Sequence, residues 1–290
     1  MGLLEAILLG FVQGVAEFLP ISSSGHLAIM KELFGIDDVG LTFDLMLHLG
    51  TLVAVFIVYY KDIWELIVNG LAIVRDACIN VIRFFQNRVG KKKKNYVNII
   101  STPYKRFVML IIVSTIPTGI IGLIFKKVFN LDNPMLIVPG ISLLITGCIL
   151  LISDMLEKGK KDEKTATFVD AAIIGISQGI ATLPGLSRSG TTITCALACG
   201  FERSFAVKYS FIMSIPAILG ANILDIKDLT SQSITGSELV NYIVGTVVAG
   251  VVGYICIKTM LVVVRKQKFK YFAYYCFAIG ALASILFFVI

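Results

Sequence analysis

Displaced by 165 residues, this chain meets a second copy of one of its own segments. Ala6, Gly10, Gln13, Gly14, Ala16, Ser22, Ser24, Gly25 and Gly35 fall on Ala171, Gly175, Gln178, Gly179, Ala181, Ser187, Ser189, Gly190 and Gly200 without a gap. The identities are small and polar residues, whereas chance agreement between apolar segments would favour Leu, Ile and Val. Both copies are apolar but interrupted. Residues 3–34 break at Ile21-Ser22-Ser23-Ser24-Gly25, and residues 169–200 break around Pro184-Gly185-Leu186-Ser187-Arg188-Ser189-Gly190. Each arm is too short to cross a hydrocarbon core of roughly 30 Å comfortably. Two short helices meeting at a polar, glycine-rich tip describe a re-entrant hairpin, tolerated where the tip lines a wet cavity.

The remainder of the chain supplies the membrane. It is 57% hydrophobic and 16% charged, where a soluble domain carries roughly 25% charged residues. Six stretches, 43–60, 107–125, 135–153, 206–224, 239–263 and 271–290, are long and apolar enough to span. No cleavable signal peptide is expected, because Glu5 stands where a basic region would begin. Basic residues orient the spans. Segment 61–106 holds ten Lys and Arg against three acids, and 264–270 holds four basic residues and no acid, whereas 225–238 holds one Lys against three acids. The first two are expected in the cytoplasm, the third outside, and both termini outside. The net charge of +7 belongs to these loops and gives no reason to expect nucleic acid.

Three spans, an odd number, separate equivalent points of the two copies, so the second copy runs through the membrane inverted. The predicted fold is all-α and integral to the membrane, with six transmembrane helices and two re-entrant helical hairpins in an inverted-topology repeat. The chain reads as one membrane domain, 1–290, with repeats at about 3–62 and 168–227 and a basic cytoplasmic insert at 61–106. Such architectures place a binding site at the repeat interface and are frequent in transporters.

The copies differ where chemistry would sit: Glu17 faces Thr182, Ser23 faces Arg188, and His26 faces Thr191. Gln13 and Glu17 lie four apart on one helix face. An ionisable group in an apolar helix is a functional candidate, and Glu17 suits a general base or, with the Gln13 carbonyl, a ligand to a divalent cation. Ser22, Ser23 and Ser24 offer hydroxyls for capping or catalysis, and His26 offers an imidazole for attack on phosphorus or for proton transfer. Arg188, flanked by Ser187, Ser189, Thr191 and Thr192 at a helix start, suits a phosphate. Glu17 and Arg188 are also a natural structural ion pair. Asp44 and His48, four apart on the first span, either extend the site as a second layer or pair with each other.

Gln13-Gly14-Val15-Ala16-Glu17-Phe18-Leu19-Pro20-Ile21-Ser22-Ser23-Ser24-Gly25-His26 and Pro184-Gly185-Leu186-Ser187-Arg188-Ser189-Gly190-Thr191-Thr192 resemble, in order and spacing, the two motifs of the bacitracin-resistance type of undecaprenyl-diphosphate phosphatase. The resemblance covers essentially the whole chain. It implies conversion of the C55 carrier lipid diphosphate to the monophosphate for peptidoglycan synthesis, and dependence on a divalent cation, Mg²⁺ or Ca²⁺. It also implies a bacterial plasma-membrane location with the site open to the outer side. The residues it points to are Gln13, Glu17, Ser23, His26, Ser187, Arg188, Ser189 and Thr192. Some members carry Glu at position 13, and Gln cannot act as a base, so Glu17 would carry that role here. The nucleophile is left open between His26, Ser23 and water. The expected partners are the polyprenyl diphosphate and membrane lipids, with a homodimer possible. The rival reading is a lipid-phosphate transporter, against which the one-sided Glu, Ser and His set argues. Kinship with phosphatidate-type phosphatases, suggested by Ser24-Gly25-His26, is weak because no His follows Arg188.

Overall fold

The computed structural model describes residues 1–36, 41–89, 93–129, 135–229 and 236–289. Among them, helices α1 (Leu3–Phe18) and α2 (Ser23–Phe34) form the first interrupted pair, followed by α3 (Leu41–Val58) and α4 (Tyr60–Val89). Next come α5 (Pro103–Phe129) and α6 (Ile137–Met155). Helices α7 (Phe168–Ile180) and α8 (Arg188–Ala198) form the second interrupted pair, followed by α9 (Arg203–Leu229), α10 (Gly236–Arg265) and α11 (Phe269–Val289).

Helices α5, α6, α9, α10 and α11 are each long and apolar enough to cross a bilayer, and α3 and α4, bent by 88° where they meet, pass the same test together as a sixth. These are the six expected stretches, and the chain is a multi-pass, all-helical membrane protein. Most helices run beyond the apolar stretch, because lipid demands internally paired backbone and polar side chains at the ends reach the interface without ending the helix. The interrupted helices have 16, 12, 13 and 11 residues, so each rises only about 16–24 Å.

Helix packing crosses between the halves of the chain. Helix α1 lies along α10 while α7 lies along α5; α3 also packs on α10 and α9 on α5, and α6 packs on α11. The matched glycines of the repeat make this possible. A Cβ at Gly10 would strike the Gly245 carbonyl of α10, and one at Gly175 would strike the Ser114 carbonyl of α5. Small residues admit such close backbone approach, which replaces the missing hydrophobic drive between helices in lipid. The last matched pair has a different origin. Gly35 (φ 59°) and Gly200 (φ 84°) take the left-handed conformation where α2 and α8 end.

A buried aromatic cluster, Phe107, Phe201, Phe205 and Tyr209, packs α5 against α9. Lys208 stands over the Phe107 and Phe205 rings and bonds to Asp62 at 3.1 Å, which secures the start of α4 to α9.

Candidate active site

Glu17, near the end of α1, has a side chain only 4% exposed. A carboxylate so far from water persists as an ion only with charge and hydrogen-bond partners. Its Oε1 accepts from Arg188 Nη2 of α8, and its Oε2 accepts from Ser23 Oγ at 2.7 Å and from Gln13 Nε2 at 3.1 Å. The Gln13 amide also meets His48 Nδ1 of α3 at 3.0 Å, and that nitrogen is 3.6 Å from Glu17 Oε2.

The local sequence explains how these groups converge. The chain leaves α1 through Leu19-Pro20 and re-enters a helix at Ser22, which holds φ 69° and accepts from Gly25 N–H as the N-cap of α2. Ser187 does the same for α8, accepting from Gly190 N–H at 3.1 Å while its own N–H donates to Thr146 Oγ1 at 3.0 Å. The two breaks touch. Gly185 N–H donates to Ser24 Oγ at 3.1 Å, a Cβ on Gly25 would lie 3.0 Å from Gly185 Cα, and one on Gly190 would lie 3.2 Å from Pro20 Cβ. Two helix N-termini, whose first-turn N–H groups lack intrahelical partners, therefore open beside one another with Arg188 between them. That arrangement attracts a phosphate. A cavity of about 280 Å³ lies there, lined by Glu17, Ser22, Ser23, Ser24, His48, Ser187 and Arg188.

Not every sequence candidate reaches this cavity. His26 points away from it: one ring nitrogen meets the Ser22 carbonyl at 2.8 Å and the other meets Tyr275 Oη of α11 at 2.7 Å, with the two rings stacked. Asp44 and His48 do not pair with each other, because Asp44 binds Lys31 at 2.6 Å. Ser189 lies within hydrogen-bond reach of Ser187 (3.4 Å) behind the tip. Thr192 joins α8 to Ser210 of α9 at 2.6 Å, and the Thr191 hydroxyl is buried among the helices without a partner. Gln13 sits behind Glu17 with its Oε1 buried and unpaired.

Residues 6–282 match the family described as Bacitracin resistance protein BacA. The chain belongs to this family. A relative from Methanosphaera stadtmanae named undecaprenyl-diphosphatase is 41% identical over 286 residues, covering 99% of this chain and 98% of the relative. Another of that name, from Alkaliphilus metalliredigens, is 39% identical over 282 residues, 97% of each chain. Undecaprenyl-diphosphatase 4 of Bacillus thuringiensis subsp. konkukian is 38% identical over 282 residues, 97% of this chain and 96% of its own.

This BacA-family cavity also has lining groups that reasoning from the sequence passed over. Gln178 and Thr182, the counterparts of Gln13 and Glu17, line it together with Thr118 and Asn222. The repeat alignment contained the signal for the first two. Gln178 was matched to a selected residue, and its Oε1 is buried without a partner.

Proposed function

We propose that this chain hydrolyses undecaprenyl diphosphate to undecaprenyl phosphate and inorganic phosphate, recycling the carrier lipid for cell-wall synthesis and so conferring resistance to bacitracin. One observation carries the reading. A buried carboxylate is bonded at once to a serine hydroxyl and to an arginine, at a cavity where two helix N-termini open. A cavity of about 280 Å³ that joins the Glu17, Ser23, His48 and Arg188 side chains to an apolar wall suits a diphosphate head at its polar end. A C55 tail far exceeds it and must pass out along apolar lining, such as Leu45 and Ile218, into lipid.

In this mechanism Arg188, which has five N–H donors, keeps one on Glu17 and offers others to the terminal phosphate. Ser23 Oγ attacks the terminal phosphorus while its proton passes to Glu17 Oε2, to which it already donates. The P–O bond to the bridging oxygen breaks, and undecaprenyl phosphate departs with the bonding electron pair. The proton on Glu17 leaves with the departing undecaprenyl phosphate; water then attacks the phosphoserine and gives a proton to the freed Glu17, which returns it to Ser23 Oγ as the bond from that oxygen to phosphorus breaks and phosphate is released. Gln13 and His48 flank the carboxylate and hold it in place, and His48 also lines the cavity.

The donors also suit a divalent cation. Among the described residues no three His, Cys, Asp or Glu side chains converge on a metal; a cation arriving on a diphosphate, Mg²⁺ or Ca²⁺, would meet the Glu17 carboxylate, with the unpaired Gln13 Oε1 buried behind it within reach only after a shift of that side chain. When bound, such an ion would neutralise charge on the departing phosphate. We place the protein in the bacterial plasma membrane with both termini and the cavity mouth toward the outer side. Residues 3–62 and 168–227 are read as inverted repeats, a reading supported by the crossed packing of α1 on α10 and α7 on α5.

The test is phosphate release from undecaprenyl diphosphate by detergent-purified protein in Mg²⁺, Ca²⁺ or EDTA, beside Arg188→Ala. Release that needs metal and is lost in the variant is the expected outcome. No release from folded protein in any metal would leave a phosphate-lipid transporter as the better reading.

A further inference from the structure

Helix α4 presents two faces of opposite character, and its packing accounts for only one of them. Asp62, Asn69, Asp76, Asn80 and Asn87 recur at helical spacing along one side, and each is bonded to residues 93–105. Tyr104 Oη donates to Asp62 (3.1 Å), Thr102 Oγ1 to Asn69 (3.0 Å), and Lys105 Nζ to Asp76 (2.5 Å). Asn80 exchanges two hydrogen bonds with the Val97 backbone, and Asn87 two with that of Lys94. On the other side Tyr60, Trp64, Ile67, Leu71, Val74, Ile82, Phe85 and Val89 follow the same period and are all exposed. An apolar stripe about eight turns long on a helix whose polar side is already occupied needs an apolar partner.

The geometry at the start of the helix identifies that partner. Helix α4 turns away from α3 by 88°, so with α3 crossing the bilayer α4 would leave it at the surface and lie in its plane. Exposed cations stand near the stripe: Lys61, Arg75 and Arg88, followed by Lys93 and Lys94. A basic rim around an apolar face, with Tyr and Trp at its beginning, is the chemistry of a helix seated among anionic lipid headgroups.

We propose that α4 is an interfacial helix, its apolar stripe seated at the headgroup boundary and its basic rim gathering anionic lipids. Because Asp62 bonds both to Tyr104 of α5 and to Lys208 of α9, seating α4 also ties the cytoplasmic ends of two spans to the lipid surface.

The chain contains a single tryptophan, Trp64, which is 65% exposed on this stripe, so indole fluorescence of the native full-length protein reports on α4 alone. The protein is reconstituted in vesicles containing phosphatidylcholine or phosphatidylglycerol brominated either near the headgroup or near the chain ends. The expected result is blue-shifted emission quenched more by the shallow bromine than by the deep one. Quenching by phosphatidylglycerol should be about twofold or more stronger than by phosphatidylcholine at equal content. Emission of a water-exposed indole, quenched by aqueous iodide and by neither bromolipid, would overturn the proposal. So would an indole shielded from both iodide and bromine, which would mean that protein or a second copy covers the stripe. Strongest quenching by the deep bromine would make α4 a span, and equal quenching by the two lipids would remove the anionic preference; either result also overturns it.

Discussion

Glu17 holds more partners than solvation alone requires, and they are of unlike kinds: a permanent cation, a hydroxyl and an amide. In the proposed mechanism the Ser23–Glu17 pair carries the chemistry, since a serine already donating to a carboxylate needs no rearrangement to lose its proton. Glu17→Gln and Ser23→Ala are each expected to lower phosphate release by about 10²–10⁴-fold with the fold retained. His26→Ala is expected to cost about tenfold or less, because both imidazole nitrogens are spent on the Ser22 carbonyl and Tyr275. Steady-state phosphate release from the purified variants checks the ranking. A His26 variant as inactive as the Ser23 variant, together with full activity in Tyr275→Phe, would reverse the assignment. The chemical types of these residues were legible in the sequence. Their pairings were not: four-residue spacing put Asp44 and His48 on one face of α3, but Lys31 arriving from α2 and Gln13 from α1 decided that they serve different neighbours.

Among the helices, close backbone approach and turn conformation make different demands on glycine. Gly175→Ala brings a methyl group into the Ser114 carbonyl of α5, and overpacking of this kind costs about 1–3 kcal/mol. At Gly35 a methyl meets nothing within 4 Å, so only the strain of φ 59° remains, about 1 kcal/mol. Thermal unfolding in detergent should rank Gly175→Ala as the more damaging, and the reverse order would mean that α7 does not rest on α5 as described. The junction of α4 with α5 has a pH signature. The hydrogen bond from Lys105, with that from Arg75, holds the Asp76 carboxyl below its ordinary value. A depressed pKa contributes stability above the ordinary carboxylate range and loses it as pH falls through the lower, folded value. Tm should therefore drop in the wild type as pH falls below about 4, with a shallower drop in Asp76→Asn. Equal acid profiles would show that this contact does not contribute.

For the molecule as a whole, the crossed packing of α1 on α10 and α7 on α5 means that neither half of the chain completes its own interior. Truncation after α6 should therefore leave α1, α3, α5 and α6 without the helices they pack on, and the fragment prone to degradation. Topology offers the sharper prediction. On the proposed orientation, with 61–106 and 264–270 in the cytoplasm, reporters fused to either terminus should be active only outside, and single cysteines placed at Lys93 or Lys94 should label only from inside. A cytoplasmic terminus would invert the assignment and turn the cavity mouth inward.

The apolar stretches of the long helices, two interrupted segments, their repeat in sequence and the residue types of the proposed phosphate site were all available from the sequence. Hydrocarbon thickness, backbone pairing and helical period act locally along the chain, and each leaves its mark in the order of residues. Contacts between segments far apart in the chain were decided only by the tertiary structure. It brought Arg188 across 171 positions to Glu17, turned His26 toward Tyr275 on α11, added Gln178 and Thr182 to the cavity wall, and laid α4 at 88° to α3. No local pattern encodes which of several compatible polar partners a side chain will meet. That choice is made when whole helices dock, and here small residues at the interfaces determine how closely they do so.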